Sequence, residues 1–531
     1  MKRILICILL TGSWALAEDL ALVNGKIFTG NSNKPWATAI LIQGERIRLV
    51  GNDYEVKKKN LHNARLIDLK GRLVIPGIND AHLHADNVWQ PVDLPSDSND
   101  PLTKPSFAEL LDALRKAVQQ NPKGTWIRGN LSTTIMEDPS ADRWALDQVS
   151  RDHPFWIENL AGHVTLVNSA ALEALHISEQ EKDPPGGFYG RTEDGKLNGY
   201  LSEYARWIHL RKIAESVRPQ AVRETFLRES QEAARFGITS VQHFAVVVPA
   251  DKLYSILKET PLPIRWRIIW FPMGSSPQFE KLAGMSRLRV NGVKYVLDGT
   301  PLERGSALEE PYSDDPGTRG RLDFSDGAND LIQRADNAGE PVLLHCEGDR
   351  AANFVLSFVS THGGREAWSK KRIRIEHGDA IMRPRLKEFA AAGVVVVQNP
   401  THLAFPGLMQ SRYGKDRLER MFLLRSIVQS GIHLALGSDG PMNPFLNLMF
   451  AITNPTNPAE KLSLEEALLA YTREAAYAEF QETEKGTLES GKLADLAVLS
   501  QDIFSVPPDR LPETVSELTI VGGEIVYEAK N

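Results

Sequence analysis

The chain has 531 residues, 42% hydrophobic and 24% charged, which fits one large globular body with additions and excludes a fibrous or disordered chain. Its formal charge is −7, from 61 basic and 68 acidic side chains, so no basic surface recommends nucleic acid as a partner. Two cysteines, Cys7 and Cys346, exclude a disulfide-stapled scaffold.

The first residues predict a cleavable export signal. Lys2-Arg3 is followed by the apolar run Ile4 to Leu10, then by Ala15-Leu16-Ala17 ahead of Glu18. The run is short for a membrane span. A cut after Ala17 leaves Cys346 alone, and export without disulfides fits a bacterial periplasm or secretion. Residues 18–75 are β-like. Leu20–Gly25 and Lys26–Phe28 predict a hairpin about Asn24-Gly25, and Ala39–Gly44 with Arg46–Val50 predict a second pair. Residues 481–531 share that texture, so the two ends are expected to build one small β-sandwich. Between them, residues 76–480 alternate strand-like and helix-like runs. Strand candidates include 237–243, 265–270, 292–298, 341–345, 373–377, 393–398 and 433–439, with helices expected near 222–236 and 350–360. This alternation predicts an α/β body with a parallel sheet closed as a barrel. Residues 95–215 break the rhythm and are read as an insertion after the first barrel strand. Trp126, Trp144, Trp156 and Trp207 fall there and are expected to be core. No glycine-rich phosphate loop follows the first strand, which weakens a nucleotide-binding reading.

The run from Leu73 to His84 carries the chemistry. His82 and His84 follow an apolar strand and Pro76-Gly77 with one residue between them. In extended backbone, residues two apart point the same way, so both imidazoles can reach one divalent ion. Lys294, His345, His377 and Asp439 also fall at or near strand ends, where parallel barrels gather their active sites. His62, His153, His176, His209 and His362 lack that placement and are read as surface or loop residues, and His243 as structural. Cys346 adjoins His345 and should face the opposite way.

The order H-x-H, Lys, His, His, Asp resembles the amidohydrolase superfamily. Finer motifs resemble its family 3 branch, which includes N-substituted formamide deformylases. They are Pro76 to His84, Gly162-His163 with Asn168 to Leu172, Gly292 to Gly299, His345 to Ala351, Ile375-Glu-His377, Gln398 to His402, Gly437-Ser-Asp439 and Gly486 to Leu496. The resemblance implies a distorted (β/α)8 TIM-like barrel with the small β-sandwich. It also implies hydrolysis of an amide, formamide or cyclic amide C–N bond in a small-molecule substrate by metal-activated hydroxide. His82 and His84 would hold one metal, His345 and His377 a second, and a carboxylated Lys294 would bridge two zinc ions, with one metal as the alternative. Asp439 would ligate and act as general base and acid. His163, Asp298 and His402 would bind substrate, with His163 catalytic. The segment before His163 usually reads Asp-Gly-His in the family; position 161 here is alanine. Asp349 is read as a helix cap. Other readings are a deaminase or an ester or lactone hydrolase on the same site and, outside enzymes, a two-lobed periplasmic solute-binding protein.

Overall fold

A computed structural model describes residues 19–59, 64–95, 100, 102–274, 279, 281–324 and 327–530. The export signal, Cys7 and His62 lie outside the described residues. At the centre, eight strands form one all-parallel sheet in sequential order. They are β1 (Ile78–Leu83), β2 (Ile238–Phe244), β3 (Arg265–Trp270), β4 (Leu288–Val296), β5 (Val342–Cys346), β6 (Arg374–His377), β7 (Val395–Gln398) and β8 (His433–Leu436). Strands β5, β7 and β8 read as nearly continuous apolar runs because both faces are covered, while the others carry buried polar residues such as Asp80, Gln242, Arg267 and Glu376 into the barrel. The helix Pro219–Arg235 shows why the outer layer packs. Val222, Phe226, Ser230 and Ala233 recur at three- and four-residue spacing and are buried.

Side chains complete the closure between β8 and β1. The Asp80 carboxylate accepts the Ser438 N–H (2.9 Å) and its hydroxyl, and the Asp439 N–H donates to the His82 carbonyl (2.9 Å). Gly437 lies so close that a Cβ there would come 2.5 Å from the His82 backbone nitrogen, so the seam requires glycine.

Strands from both ends of the chain share a sheet. Leu73–Pro76, which leads into β1, pairs antiparallel with Leu496–Leu499 and parallel with Lys26–Phe28. A second sheet joins Asp19–Val23, Ala39–Gln43, Arg46–Gly51 and Ala64–Asp68. Buried Leu20, Leu22, Ile40, Val74, Leu496 and Ile520 fill one cluster between the two sheets. The hairpin expected at Asn24-Gly25 does not form. Asn24 takes a left-handed turn (φ 57°) that passes the chain from one sheet to the other, so its flanking strands never pair.

The insertion between β1 and β2 is a folded unit. Its sheet runs Gly187–Arg191, Leu197–Glu203, Val164–Val167, Phe155–Glu158, Ile127–Asn130, Val92–Asp93, packed on the helix Phe107–Gln120. Trp156 and Trp207 are buried, while Trp126 and Trp144 are half-buried. His209 is buried within a helix, which corrects its reading as a surface or loop residue, while His153 lies on a loop as expected but is buried there. His209 sits in the helix Tyr204–Glu215 with Nε2 2.8 Å from the Tyr189 hydroxyl, and His153 Nδ1 lies 2.9 Å from the Ser150 hydroxyl. Among the described residues, one nearly closed barrel forms the body, and no two-lobed architecture of the kind a solute-binding protein requires is seen. No helix of the described residues is long and apolar enough to cross a membrane.

Candidate metal centre

Asp439 organises the carboxyl end of the barrel. One of its oxygens lies 3.5 Å from Nε2 of both His82 and His84. The other lies 3.9 Å from His377 Nδ1 and 3.8 Å from His402 Nε2. The H-x-H spacing at the end of β1 therefore delivers both rings to one carboxylate. His377 ends β6 and Asp439 follows β8, and both adopt left-handed backbone (φ 69° and 50°). For residues with a Cβ that conformation is strained, and such strain concentrates at functional sites. In an unbroken strand Glu376 and His377 would face opposite ways; the turn at His377 lets both reach the centre.

His345, from β5, stands beside His377 with ring centroids 4.4 Å apart. Ligating atoms of His82, His377 and Asp439 cluster within 4.8 Å, and so do those of His345, Glu347 and His377. Two adjacent positions able to hold a cation thus share His377. His345 Nε2 and Glu347 Oε2 are buried without a hydrogen-bond partner. Buried polar atoms are normally paired, so orphaned nitrogen and oxygen donors at the centre fit a divalent cation. Lys294, inside β4, places its ammonium 4.4 Å from the centroid of the Phe244 ring, which lies 4.4 Å from the His82 ring. Burial lowers its pKa to about 8, against the raising influence of Glu376 and Asp439.

Polar partners hold the rings from outside. His82 Nδ1 is 2.7 Å from Glu376 Oε2, which leaves Nε2 toward Asp439. Arg374 binds the same carboxylate through Nε (2.7 Å) and Nη2 (2.9 Å). Burial pushes Glu376 up, but Arg374 and the His82 bond outweigh it and hold the group below the usual carboxylate range. His377 Nδ1 meets Asn399 Oδ1 at 2.8 Å. His402, on the turn Pro400–Ala404, stacks on His377 and sets Nδ1 2.7 Å from Asp379 Oδ2. Such partners fix ring orientation and strengthen imidazole as a ligand.

The other expected site residues divide. His163, from the insertion, brings its ring within 5.0 Å of the His345 ring and 5.4 Å of Trp207. Asp298 is fully buried. Its oxygens accept the backbone N–H groups of Ala307, Glu347 and Gly348 at 2.8–3.0 Å and lie 3.7 Å from His345 Nε2. Those bonds tie the loop after β5 to the end of β4. The N-cap position falls on Gly348, so Asp349 is the first residue of the helix Asp349–Thr361 rather than its cap, and it accepts the Glu309 N–H. His243 bonds backbone at Ala85, and Cys346 is buried in the apolar core, where burial holds its thiol up. Sequence reasoning missed Glu347, Glu376, Asp379 and Asn399. Each lies within two residues of an expected site residue or of a strand's polar end, the one signal the sequence offered.

A barrel whose strand ends bring histidines and a carboxylate together, with a buried lysine in a neighbouring strand, fits the class of metal-dependent hydrolases. The chain belongs to the amidohydrolase family, whose model matches residues 65–527. It is 27% identical to the putative amidohydrolase YtcJ of Bacillus subtilis (95% of this chain, 98% of the relative). It is equally 27% identical to the N-substituted formamide deformylase of Arthrobacter pascens (96% and 98%). A solved metal-dependent hydrolase from Pyrococcus furiosus superposes with a TM-score of 0.68 at 25% identity, over 91% of this chain and 99% of that one. The protein is thus a hydrolase acting on carbon–nitrogen bonds other than peptide bonds.

Proposed function

We propose that this enzyme is exported and hydrolyses the C–N bond of a small amide, formamide or cyclic amide. The observation that carries the reading is the single Asp439 carboxylate addressed by His82, His84, His377 and His402. His82, His84 and Asp439 would hold one divalent ion and His345 and His377 a second, with zinc suited to these nitrogen and oxygen ligands. A carboxylated Lys294 would bridge them. An ammonium has no lone pair to offer a cation, whereas a carbamate supplies anionic oxygens. The lowered Lys294 pKa supports this, because only the neutral amine attacks carbon dioxide. At pH 7 a pKa near 8 leaves about a tenth of the amine neutral, far more than an exposed lysine has. When bound, such ions bring the pKa of a water ligand close to 7 and polarise a carbonyl.

The chain's own residues supply the rest. Asp439, held by His82 and His402, takes a proton and returns it to the departing amine. His163 and His402 present imidazoles to the substrate side. Asp298 keeps the β5 loop, and so His345, in place. The leader at residues 1–17 supports export, with a mature chain starting at Glu18. The deformylase relative supports N-substituted formamides as the first substrates to try.

The test is Asp439→Asn on purified enzyme against N-substituted formamides. Turnover should fall about 10²–10⁴-fold, the range for losing a positioned acid–base group, while the protein stays folded. Near-normal turnover would contradict the assignment.

A further inference from the structure

We propose that Glu203 positions His163, and that this carboxylate–imidazole pair, contributed by the insertion, hydrogen-bonds the substrate's carbonyl oxygen. The proposal rests on the hydrolase reading above and extends it to a residue outside the barrel motifs.

Two ties join the same two residues. His163 Nδ1 lies 2.8 Å and 3.0 Å from the two Glu203 oxygens, and the Glu203 N–H donates to the His163 carbonyl at 2.8 Å. Glu203 is 3% exposed and sits at φ 53°, ψ −130°, backbone that a residue with a Cβ rarely adopts. Strain of this kind persists only where surrounding contacts impose it. The loop that carries the ring is fixed as well. Asn159 Oδ1 accepts the N–H groups of His163 (2.9 Å) and Val164 (3.1 Å), and Trp207 Nε1 donates to the Gly162 carbonyl (3.1 Å). Gly162 takes φ 70°, so glycine suits the turn. Ala161 is exposed, so the bonds that fix the turn come from Asn159 and Trp207.

With Nδ1 held, Nε2 is the ring atom left to meet a ligand, and no described residue bonds it. The ring stands 5.0 Å from that of His345, centroid to centroid, beside the centre that a substrate must reach. A donor fixed in advance near a carbonyl oxygen stabilises the charge that develops there, because it need not reorganise during reaction.

A third acid, Glu303, lies beside the pair, and His163, Glu203 and Glu303 are close enough to surround a cation. The bonding favours positioning instead. Glu303 already accepts from the Thr300 N–H and hydroxyl and from Asn159 Nδ2. Both Glu203 oxygens face the His163 ring.

A double-mutant cycle on the metal-loaded enzyme tests the pair. Glu203→Gln should lower kcat about 10–100-fold, the usual cost of losing an outer partner of a site imidazole, with KM changed less than about threefold. His163→Ala should cost about 10²–10³-fold. In the His163→Ala background, Glu203→Gln should add less than about twofold, since groups that act through one another are non-additive. Glu203→Asp, which keeps the carboxyl group, should show a smaller loss with the same non-additivity and stands in should Glu203→Gln fail to fold. Formate affinity by calorimetry, together with metal content, repeats the cycle without turnover. Additive losses, wild-type behaviour of Glu203→Gln, or loss of an extra metal equivalent in that variant would overturn the proposal. If the wild type cleaves no C–N substrate, the hydrolase reading fails while the formate cycle still decides the pair.

Discussion

Replacing Glu376 by glutamine tests how the barrel interior supports the metal centre. The carboxylate does two jobs at once. It holds His82 Nδ1 at 2.7 Å, and it neutralises the Arg374 guanidinium, which is 1% exposed and also bonds Gln242 and the Ala81 carbonyl. Glutamine keeps the shape and one acceptor oxygen but removes the charge. Loss of an outer carboxylate partner weakens metal affinity by about 10–100-fold. An uncompensated buried guanidinium costs about 3–5 kcal/mol when its partner is deleted outright, and the retained acceptor should bring the loss toward the lower figure. Zinc affinity measured by chelator competition reads the first effect, and guanidinium chloride unfolding of the metal-free protein reads the second. Zinc affinity within twofold of wild type, with stability changed by less than about 0.5 kcal/mol, would refute the reasoning.

Lys294→Ala should lower bound metal and abolish turnover, and millimolar short-chain carboxylates should restore part of the activity by replacing the carbamate oxygens; a fully active variant with undiminished metal would exclude the bridge. At the barrel's other end, Glu479 accepts from Lys485 Nζ (2.6 Å), Asn79 (2.8 Å) and Arg289. Burial pushes this acid up, yet Lys485 and Arg289 bring it down to about 2, below its ordinary value of 4.5. A depressed acid contributes its full stability above the unfolded value and loses it as pH falls toward the folded one. Glu479→Gln should therefore cost about 3 kcal/mol at pH 7, with the gap to wild type closing between about pH 4.5 and 2; a pH-independent gap in denaturant titrations would contradict the assignment.

The barrel was legible because its strands are unusual as sequence. Runs such as Val394-Val-Val-Val397 are buried on both faces, so they read as unbroken apolar segments, and the polar residue that ends each one stands out. His345 stood out that way, whereas His82 and His84 were found by their two-residue spacing, His377 and Asp439 by lying at or just past strand ends, and Lys294 as a lone lysine inside β4. The outer partners were not, because carboxylates are common and nothing in a linear chain says that Glu376 meets His82 across the barrel. Alternation alone also misassigns the residues flanking His377, whose left-handed backbone breaks the two-residue period. At Asn24 local turn chemistry pointed to a hairpin; the preference for a left-handed turn was real, but tertiary pairing used it to change sheets. Glu203 lay beyond reach because its role depends on a contact with a ring 40 residues earlier.

Anomalous diffraction at a metal edge, from crystals of the enzyme as purified, tests the central claim most directly. Two peaks are expected at the carboxyl end of the barrel. One should lie about 2.0–2.2 Å from His82, His84 and Asp439, the other at that distance from His345 and His377, with continuous density from Lys294 reaching both. A metal-free centre in active protein, or peaks that leave Asp439 or His377 uncoordinated, would contradict it.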